Sequence, residues 1–508
     1  MKLSQKIITT INPEHVQIPP INCFELPEKI LQFGTGVLLR GLPDYFIDKA
    51  NKQQLFNGRI VVVKSTDSAS AGAFKSQNGL YTHCMRGVED GQKIEKNIIN
   101  ASISRVLSAV NEWSSVLECA TDPGMQVIIS NTTEIGITLV KDDIHAHPPV
   151  SFPGKLLAFL YKRYKHFNGD ESKGMVIIPT ELIPDNGTEL EVIILKLSHQ
   201  NGLEPAFMNW VMNANTFCNS LVDRIVPGSL SLDEQIEMEE KTGYKDELMI
   251  TSELYGLWAI EAKAGNVKEV LSFHLADEGV VITPDINIFR ELKLRLLNGS
   301  HTFTCGLAHL AGFKTVKQAM DNKVFATYIS GLMMQEIAPS ITNGDLSIEQ
   351  ALDFAGKVLD RYRNPFIRHQ WLSITLQFTS KMAMRNIALL KNYFEQNNFV
   401  PEYMSLGLAG YLLFMKCEKA ADGKYYGKLN GESYLVNDDF APYFSEKWIK
   451  CSIDKLVEST FCDKELWACD LTRFPGLVDA VTEKLTRLMN EGPEEMMYKL
   501  TAEKINIH

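Results

Sequence analysis

The chain has 508 residues, of which 45% are hydrophobic and 22% are charged, and its formal net charge at pH 7 is −11. This length predicts more than one globular domain with a well-filled core, and the acidic balance excludes a broad nucleic-acid-binding surface. The same balance is compatible with a local basic pocket that binds a small anionic substrate.

Cysteine usage and the apolar runs predict the compartment. The nine cysteines contain no CxxC pair, which is typical of reduced thiols in a cytosolic protein. The first residues lack the apolar core of a signal peptide, and no run approaches the roughly 18 apolar residues of a membrane span. We therefore expect a cytoplasmic protein without a membrane or nucleic-acid partner, and the sequence leaves its oligomeric state open.

In the first part of the chain, up to residue 284, strand-like and helix-like segments alternate. Short apolar runs predict buried strands at 29–33, 59–63, 125–130 and 174–179. Apolar residues recur at helical spacing over 37–51 and 153–164, and a hairpin insertion is expected at 79–85 and 92–99. Alternating strands and helices predict a mostly parallel sheet that is covered on both faces.

The second part of the chain, 285–508, has few strand signals. Apolar residues recur with a period near 3.6 over 292–310, 324–337, 348–361, 371–394 and 477–489. We therefore predict a mainly α-helical domain that begins at residue 285 and carries substrate-binding and catalytic residues.

A glycine-rich turn follows the first predicted strand. Gly34, Thr35 and Gly36 lie between a strand and a helix, where glycines let the backbone approach a pyrophosphate and the helix supplies free N–H groups. Position 39 is leucine rather than a third glycine, so an ordinary tight turn is the alternative. With the alternating elements, this turn predicts a Rossmann-type dinucleotide-binding domain over 1–284, with insertions.

The residues after the second predicted strand bear on cofactor choice. Asp67 suits the ribose hydroxyls of NAD, whereas Lys64 suits the additional phosphate of NADP. NAD is the expected cofactor, and NADP stays open.

Three polar residues in the stretch 293–301 predict an acid/base site. On an α-helix, Lys293 and His301 lie within about 80° of each other, and Asn298 lies about 60° beyond His301. Oxidation of an alcohol needs a base that takes the hydroxyl proton, and a lysine can serve when burial lowers its pKa. An asparagine amide can hold the reacting oxygen without a change of charge. The alternative is a solvated lysine with a capping asparagine, and Gly299 is a possible helix break.

These two stretches together resemble the mannitol dehydrogenase family of polyol-specific long-chain dehydrogenases. Members of that family carry KxxxxNxxH at the catalytic helix, and the pattern is complete at Lys293, Asn298 and His301. They carry GxGxFxRxH at the cofactor turn. Here both glycines and the arginine are kept, but Leu38 and Leu42 replace the phenylalanine and the histidine.

A later segment extends the resemblance to about residue 390. RYRNPFIRH at 361–369 is similar to the family's RFxNPxxxH, with Tyr362 in place of phenylalanine, and Lys381 and Arg385 follow. A family asparagine that precedes a glycine after a sheet strand matches Asn186.

The resemblance implies roles for these residues. Lys293 would be the general acid/base, Asn298 and Asn186 would donate to the reacting oxygen, and His301 would fix the substrate or the lysine. No catalytic metal is implied. A substrate carboxylate would be received by Arg363, Arg368 or Lys381. The residues expected to contact the cofactor are Phe33, Gly34, Thr35, Gly36, Val37, Arg40, Asp67 and Asn131.

Four further segments favour one subgroup of the family. They are SNTTE at 130–134, SFPGKL at 151–156, IIPTELI at 177–183 and FCNSLVDRIV at 217–226. This subgroup reduces D-tagaturonate to D-altronate with NADH, reversibly, so the expected partner is a small ketouronate or aldonate. Fructuronate reductases and mannitol or mannitol-phosphate dehydrogenases on the same scaffold are alternatives. An NAD-binding epimerase, isomerase or nucleotide sensor is an alternative of another class, and such a protein has no need of Lys293.

Overall fold

The computed structural model describes residues 1–65, 70–132, 136–263 and 265–505. The chain divides into two compact units: unit 1 comprises Met1–Gly87 and Lys93–Ile286, and unit 2 comprises Val88–Gln92 and Asn287–His508. Within the described ranges, no helix is both long and apolar enough to cross a membrane.

Unit 1 is built on a parallel sheet. Its strands, in chain order, are β1 (Glu28–Phe33), β2 (Arg59–Lys64), β3 (Tyr81–Glu89), β4 (Gln92–Asn100), β5 (Ile103–Ser108), β6 (Val127–Ser130), β7 (Val176–Pro179), β8 (Thr216–Phe217), β9 (Ser220–Asp223), β10 (Ile250–Ser252), β11 (Leu257–Glu261) and β12 (Val280–Thr283). Six of them form one sheet in the order β5-β2-β1-β6-β7-β8, and each neighbouring pair is parallel. This is the strand order 3-2-1-4-5-6 of a doubly wound dinucleotide-binding fold, whose winding reverses between β1 and β6. The predicted Rossmann-type domain is confirmed.

The central sheet is buried on both faces, because successive residues of a strand point to opposite sides. Leu31 of β1 belongs to one hydrophobic core, together with apolar residues of helices Phe152–His166 and Asn186–Gln200. Its neighbour Ile30 belongs to a second core, which includes apolar residues of helix Pro43–Lys52 and of β11. This double burial explains why the strands are continuous apolar runs.

Smaller sheets and further helices complete unit 1. The expected hairpin insertion is formed by β3 and β4, which join β10 in a three-stranded sheet, and β11 lies between β9 and β12 in another. Other α-helices are Val37–Gly41, Ser70–Ser76, Trp113–Glu118, Pro205–Ala214, Leu232–Thr242 and Asn266–Val270. Short 3₁₀ helices are Gln5–Thr10, Ile21–Glu25, Cys119–Thr121, Glu171–Lys173 and Ser272–Ala276.

Unit 2 is mainly helical, as predicted. Its α-helices are Asn287–Glu291, Ser300–Leu310, Val316–Asp321, Lys323–Gly331, Ala338–Ile341, Ile348–Tyr362, Trp371–Ile374, Phe378–Gln396, Glu402–Phe414, Ala441–Lys450, Ile453–Phe461, Lys464–Trp467, Leu477–Glu491 and Pro493–Ile505, with a 3₁₀ helix at Leu471–Arg473. A three-stranded antiparallel meander is formed by β13 (Glu418–Lys419), β14 (Tyr425–Leu429) and β15 (Glu432–Leu435). Two segments, Leu292–Gly299 and Leu332–Ile337, are π-helical.

The first π-helical segment continues helix Asn287–Glu291 and leads directly into Ser300–Leu310. Gly299 does not break this helix. A Cβ atom at Gly299 would lie 2.9 Å from Oδ1 of Asn386, and the Asn386 amide donates to the Gly299 carbonyl at 3.3 Å. The glycine therefore permits close approach of helix Phe378–Gln396 to the π-helical segment.

Candidate active site

The glycine turn connects β1 to helix Val37–Gly41, in the position predicted from the sequence. Gly34 has a φ of +126°, which L side chains rarely adopt, and its N–H donates to the Val63 carbonyl at 3.0 Å. A Cβ atom there would lie 2.9 Å from the carbonyl oxygen of Asn131. Backbone conformation and this close approach both require glycine at position 34.

Gly36 has a different reason to be glycine. Its φ of −59° is open to any L residue, and a Cβ atom there would meet no described atom within 4 Å. Neither conformation nor packing therefore demands glycine. The open space beside this exposed backbone fits the approach of a pyrophosphate, while Thr35 and Val37 on either side are half-buried. Phe33, at the end of β1, packs its ring 5.2 Å from that of Phe152.

Arg40 points into unit 1. Its guanidinium donates to the Leu248 carbonyl at 2.6 Å and lies over the rings of Phe74 and Tyr81. Burial lowers the pKa of Arg40. These contacts hold the local fold of unit 1, and cofactor binding by Arg40 stays a prediction. Asp67 lies outside the described residues.

Asn131 follows β6 directly, and Asn186 is the first residue of helix Asn186–Gln200, which follows β7. The Asn131 amide donates to the carbonyl and to the hydroxyl of Thr180, at 3.0 Å each. Asn186 is fully buried, and its amide nitrogen donates to the carbonyls of Pro179, Glu181 and Ser220. Both amide hydrogens of Asn186 are thus directed at backbone carbonyls, and its contact with substrate stays a prediction.

Lys293 and Asn298 both lie in the π-helical segment and are half-buried. Their spacing of five residues corresponds to about 140° around an α-helix. A π-helix, whose hydrogen bonds join residues i and i+5, has between about four and five residues per turn, so the same spacing is slightly more than one turn. The two side chains therefore leave the same face of the helix. The α-helical angles expected from the sequence are wrong for this segment, because hydrophobic spacing does not reveal a π-helix.

His301 follows the π-helical segment, and its ring is a neutral acceptor. The ring is buried and stacks on Tyr362 at 4.2 Å. Burial, followed by the positive charges of His369, Arg361 and Arg385, holds the pKa of His301 well below its usual range. The Leu297 backbone opposes this lowering of the pKa, and Nε2 has no partner among the described residues. In a neutral imidazole one nitrogen donates and the other accepts, so Nε2 can accept a hydrogen when Nδ1 carries the proton.

Tyr362 holds the end of the π-helical segment through its hydroxyl. It donates to the Leu297 carbonyl at 3.0 Å and lies 2.9 Å from the hydroxyl of Ser300, which itself donates to the carbonyl of Leu296. Side-chain hydroxyls thus add hydrogen bonds to carbonyls at the passage from π-helix to α-helix, where the regular backbone pattern changes.

The predicted cationic residues lie in different surroundings. Arg363 pairs with Asp360 at 3.3 Å, and Arg368 is exposed. Lys381 is half-buried and donates to the Ile374 carbonyl at 3.1 Å, and its pKa is lowered by burial and then by the charge of Arg385.

Arg361 and Arg385 were not assigned a role from the sequence. Arg385 donates to the Thr302 hydroxyl at 3.1 Å, and the charges of both arginines act on His301. The separation of four residues between Lys381 and Arg385 on helix Phe378–Gln396 is the signal that could have identified Arg385.

Comparison with known families shows two consecutive matches. The model described as the mannitol dehydrogenase Rossmann domain matches residues 28–271, and the mannitol dehydrogenase C-terminal domain matches residues 285–489. The altronate oxidoreductase of Bacillus subtilis (strain 168) is 37% identical over 478 residues, which cover 93% of this chain and 95% of that protein. The altronate oxidoreductase of Halalkalibacterium halodurans is 34% identical over 500 residues, which cover 97% and 96%.

Solved structures share the fold at lower identity. Pseudomonas fluorescens mannitol 2-dehydrogenase, in a ternary complex with NAD and D-mannitol, has a TM-score of 0.65 and 20% identity and covers 99% of this chain and 100% of its own. A D-sorbitol dehydrogenase in substrate-free form has a TM-score of 0.77 and 19% identity and covers 98% and 100%.

Proposed function

The chain belongs to the mannitol dehydrogenase family, and we propose that it catalyses the reversible reduction of D-tagaturonate to D-altronate with NADH. Full-length similarity to altronate oxidoreductases supports the substrate class. The observation that carries the chemistry is the placement of Lys293 and Asn298 on one face of a π-helix. An acid and a neutral donor on one face can act on one oxygen.

Lys293 moves the proton in this proposal. A nicotinamide dinucleotide, when bound, supplies the hydride for reduction and accepts it in oxidation. As an ammonium group, Lys293 gives its proton to the substrate oxygen while the carbonyl becomes an alcohol. As a neutral amine, it takes that proton back in the oxidation direction. Asn298 donates an amide hydrogen to the same oxygen without changing its own charge.

His301 orients the substrate through its free ring nitrogen. Because the pKa of His301 is held well below its usual range, the ring is neutral at the pH of a cytoplasm. Nε2 then accepts a hydrogen from a substrate hydroxyl, and His301 is not the proton donor in the reduction.

Lys381 and Arg385 receive the substrate carboxylate. Both are cations on helix Phe378–Gln396, and the pKa of Lys381 is lowered first by burial and then by repulsion from Arg385. An anionic ligand relieves such repulsion. Arg363 is the weaker candidate, since its guanidinium is already paired with Asp360.

The glycine turn of 34–37 would hold the dinucleotide, with open space beside Gly36 for the pyrophosphate. Lys64, the residue suited to the phosphate of NADP, is only 3% exposed. We therefore propose NAD rather than NADP as the physiological cofactor.

A panel of substrates tests this function. Purified protein is mixed with NADH or NADPH and with D-tagaturonate, D-fructuronate or D-fructose, and the loss of absorbance of the reduced cofactor is followed. We expect the highest kcat/KM for D-tagaturonate with NADH. A higher kcat/KM for D-fructuronate or D-fructose would assign the protein to that substrate, and binding without turnover of any of them would favour a nucleotide sensor.

A further inference from the structure

Glu181 is a buried carboxylate directly after β7, and the acid/base chemistry proposed above does not use it. It is only 3% exposed. Its Oε1 accepts hydrogen bonds from the Thr132 backbone N–H at 2.8 Å and from the Thr132 hydroxyl at 2.9 Å. Its Oε2 accepts from the Ser130 hydroxyl at 3.1 Å. Three donors, one from the last residue of β6 and two from Thr132, thus converge on one carboxylate.

The residue between these donors connects the carboxylate to the glycine turn. Asn131 donates its backbone N–H to the Phe33 carbonyl at 3.2 Å, and its carbonyl oxygen lies 2.9 Å from the position of a Cβ atom at Gly34. Fixing Ser130 and Thr132 therefore fixes the stretch of backbone that packs against Gly34. This place, between β1 and β6, is where the winding of the sheet reverses and where such folds bind dinucleotides.

Glu181 is itself held in place from the other side. Its carbonyl accepts a hydrogen bond from the Asn186 amide at 3.0 Å. The preceding Thr180 donates its N–H and its hydroxyl to the Ser130 carbonyl, at 2.8 and 2.7 Å. Backbone and side-chain bonds therefore join the ends of β6 and β7 into one rigid edge.

We propose that Glu181 is a positioning residue for dinucleotide binding: its carboxylate holds the backbone from Ser130 to Thr132 in the conformation that completes the cofactor-binding edge. This inference rests on the proposed NADH-dependent function. The physical reason is that a carboxylate only accepts hydrogen bonds, and Ser130 and Thr132 together present three donors. A glutamine has nearly the same size, but an NH₂ group that donates replaces one of the two carboxylate oxygens, so donors of Ser130 or Thr132 would face another donor. The backbone from Ser130 to Thr132 would then shift away from Gly34.

The test is the affinity of full-length E181Q for NADH, measured by quenching of intrinsic fluorescence, which requires no turnover. The Kd of NADH should rise by about tenfold, the size of effect expected when a charge-assisted hydrogen bond is lost, and kcat at saturating NADH should change much less. T132V removes one hydroxyl donor and leaves the carboxylate in place, and we expect its Kd to rise by about threefold.

The matched control is D142N. Asp142 is a carboxylate of unit 1 that also accepts three hydrogen bonds, from the backbone N–H groups of Val150 and Ser151 and from the Ser151 hydroxyl. Its replacement should lower the thermal midpoint and leave the Kd of NADH unchanged.

Three outcomes would overturn the inference. They are an unchanged Kd in folded E181Q, an equal rise of Kd in D142N, and, where E181Q does not fold, an unchanged Kd in T132V. Failure of the wild-type protein to bind NADH would instead overturn the proposed function, and this inference with it. If the wild-type protein binds NADH and E181Q binds it with the same Kd, only the inference about Glu181 is contradicted.

Discussion

Lys293 and Asn298 lie slightly more than one turn apart on the same face of a helix because the backbone between them is π-helical. In an α-helix the same two side chains would diverge by about 140°. The conformation of this segment is therefore part of the proposed chemistry, and residues that stabilise it should affect turnover.

Tyr362→Phe tests that dependence. The change keeps the ring that stacks on His301 and removes the hydroxyl that bonds the Leu297 carbonyl. A neutral hydrogen bond stabilises by about 1 kcal/mol, so kcat should fall by up to about fivefold while the Kd of NADH stays the same. The control is Tyr434→Phe, which removes a comparable hydroxyl bond to the Phe414 carbonyl. Equal kcat values in the two variants would show that the hydroxyl of Tyr362 only supports the fold.

The cationic residues of helix Phe378–Gln396 give a prediction on substrate charge. Arg385→Gln and Lys381→Gln should each raise KM for a ketouronate by about tenfold, since a hydrogen bond to a charged group contributes about 1.5–3 kcal/mol. KM for a neutral ketose should change little. Arg363→Gln serves as the control, because Arg363 pairs with Asp360. Equal losses on charged and neutral substrates in the Arg385 and Lys381 variants would contradict carboxylate binding by these residues.

The sheet and its covering helices could be predicted from the sequence, because burial determines where apolar residues occur. Continuous apolar strands, separated by helical spacing, specify a sheet that is covered on both sides, and the turn at Gly34 follows from its place after β1. The π-helix at Lys293 was not accessible, because apolar spacing does not distinguish hydrogen bonds to i+5 from those to i+4. Side-chain direction was equally hidden: Arg361 and Arg385, to which the sequence assigned no role, are the arginines whose charges act on His301.

Asp44 gives a prediction on stability and pH. It lies fully buried in the first turn of helix Pro43–Lys52, and burial raises its pKa from 3.8 to about 8 against the opposing effects of Gln32 and Arg40. The unfolded chain releases this proton near pH 4 and the folded protein keeps it to about pH 8. The folded state therefore loses stability relative to the unfolded state as pH rises through that window.

Asp44→Asn removes this titration. The unfolding free energy of the variant minus that of the wild-type protein should rise by about 1.4 kcal/mol for each pH unit between pH 5 and 7. Urea unfolding of both proteins at the two pH values measures the gain, and groups common to both cancel in the comparison. A difference between the two proteins that does not change with pH would show that Asp44 is ionised in the folded state.

The kinetics of Lys293→Ala test the proposed mechanism most directly. The measurement is kcat for D-tagaturonate reduction across the pH range, alongside NADH affinity. Removal of a positioned acid should lower kcat by about 10²- to 10⁴-fold and alter the pH profile, while the Kd of NADH stays close to that of the wild-type protein. Asn298→Ala should cost less, because the proton donor remains. Retention of more than about a tenth of the wild-type kcat, with an unaltered pH profile, would contradict the assignment of Lys293 as the acid/base.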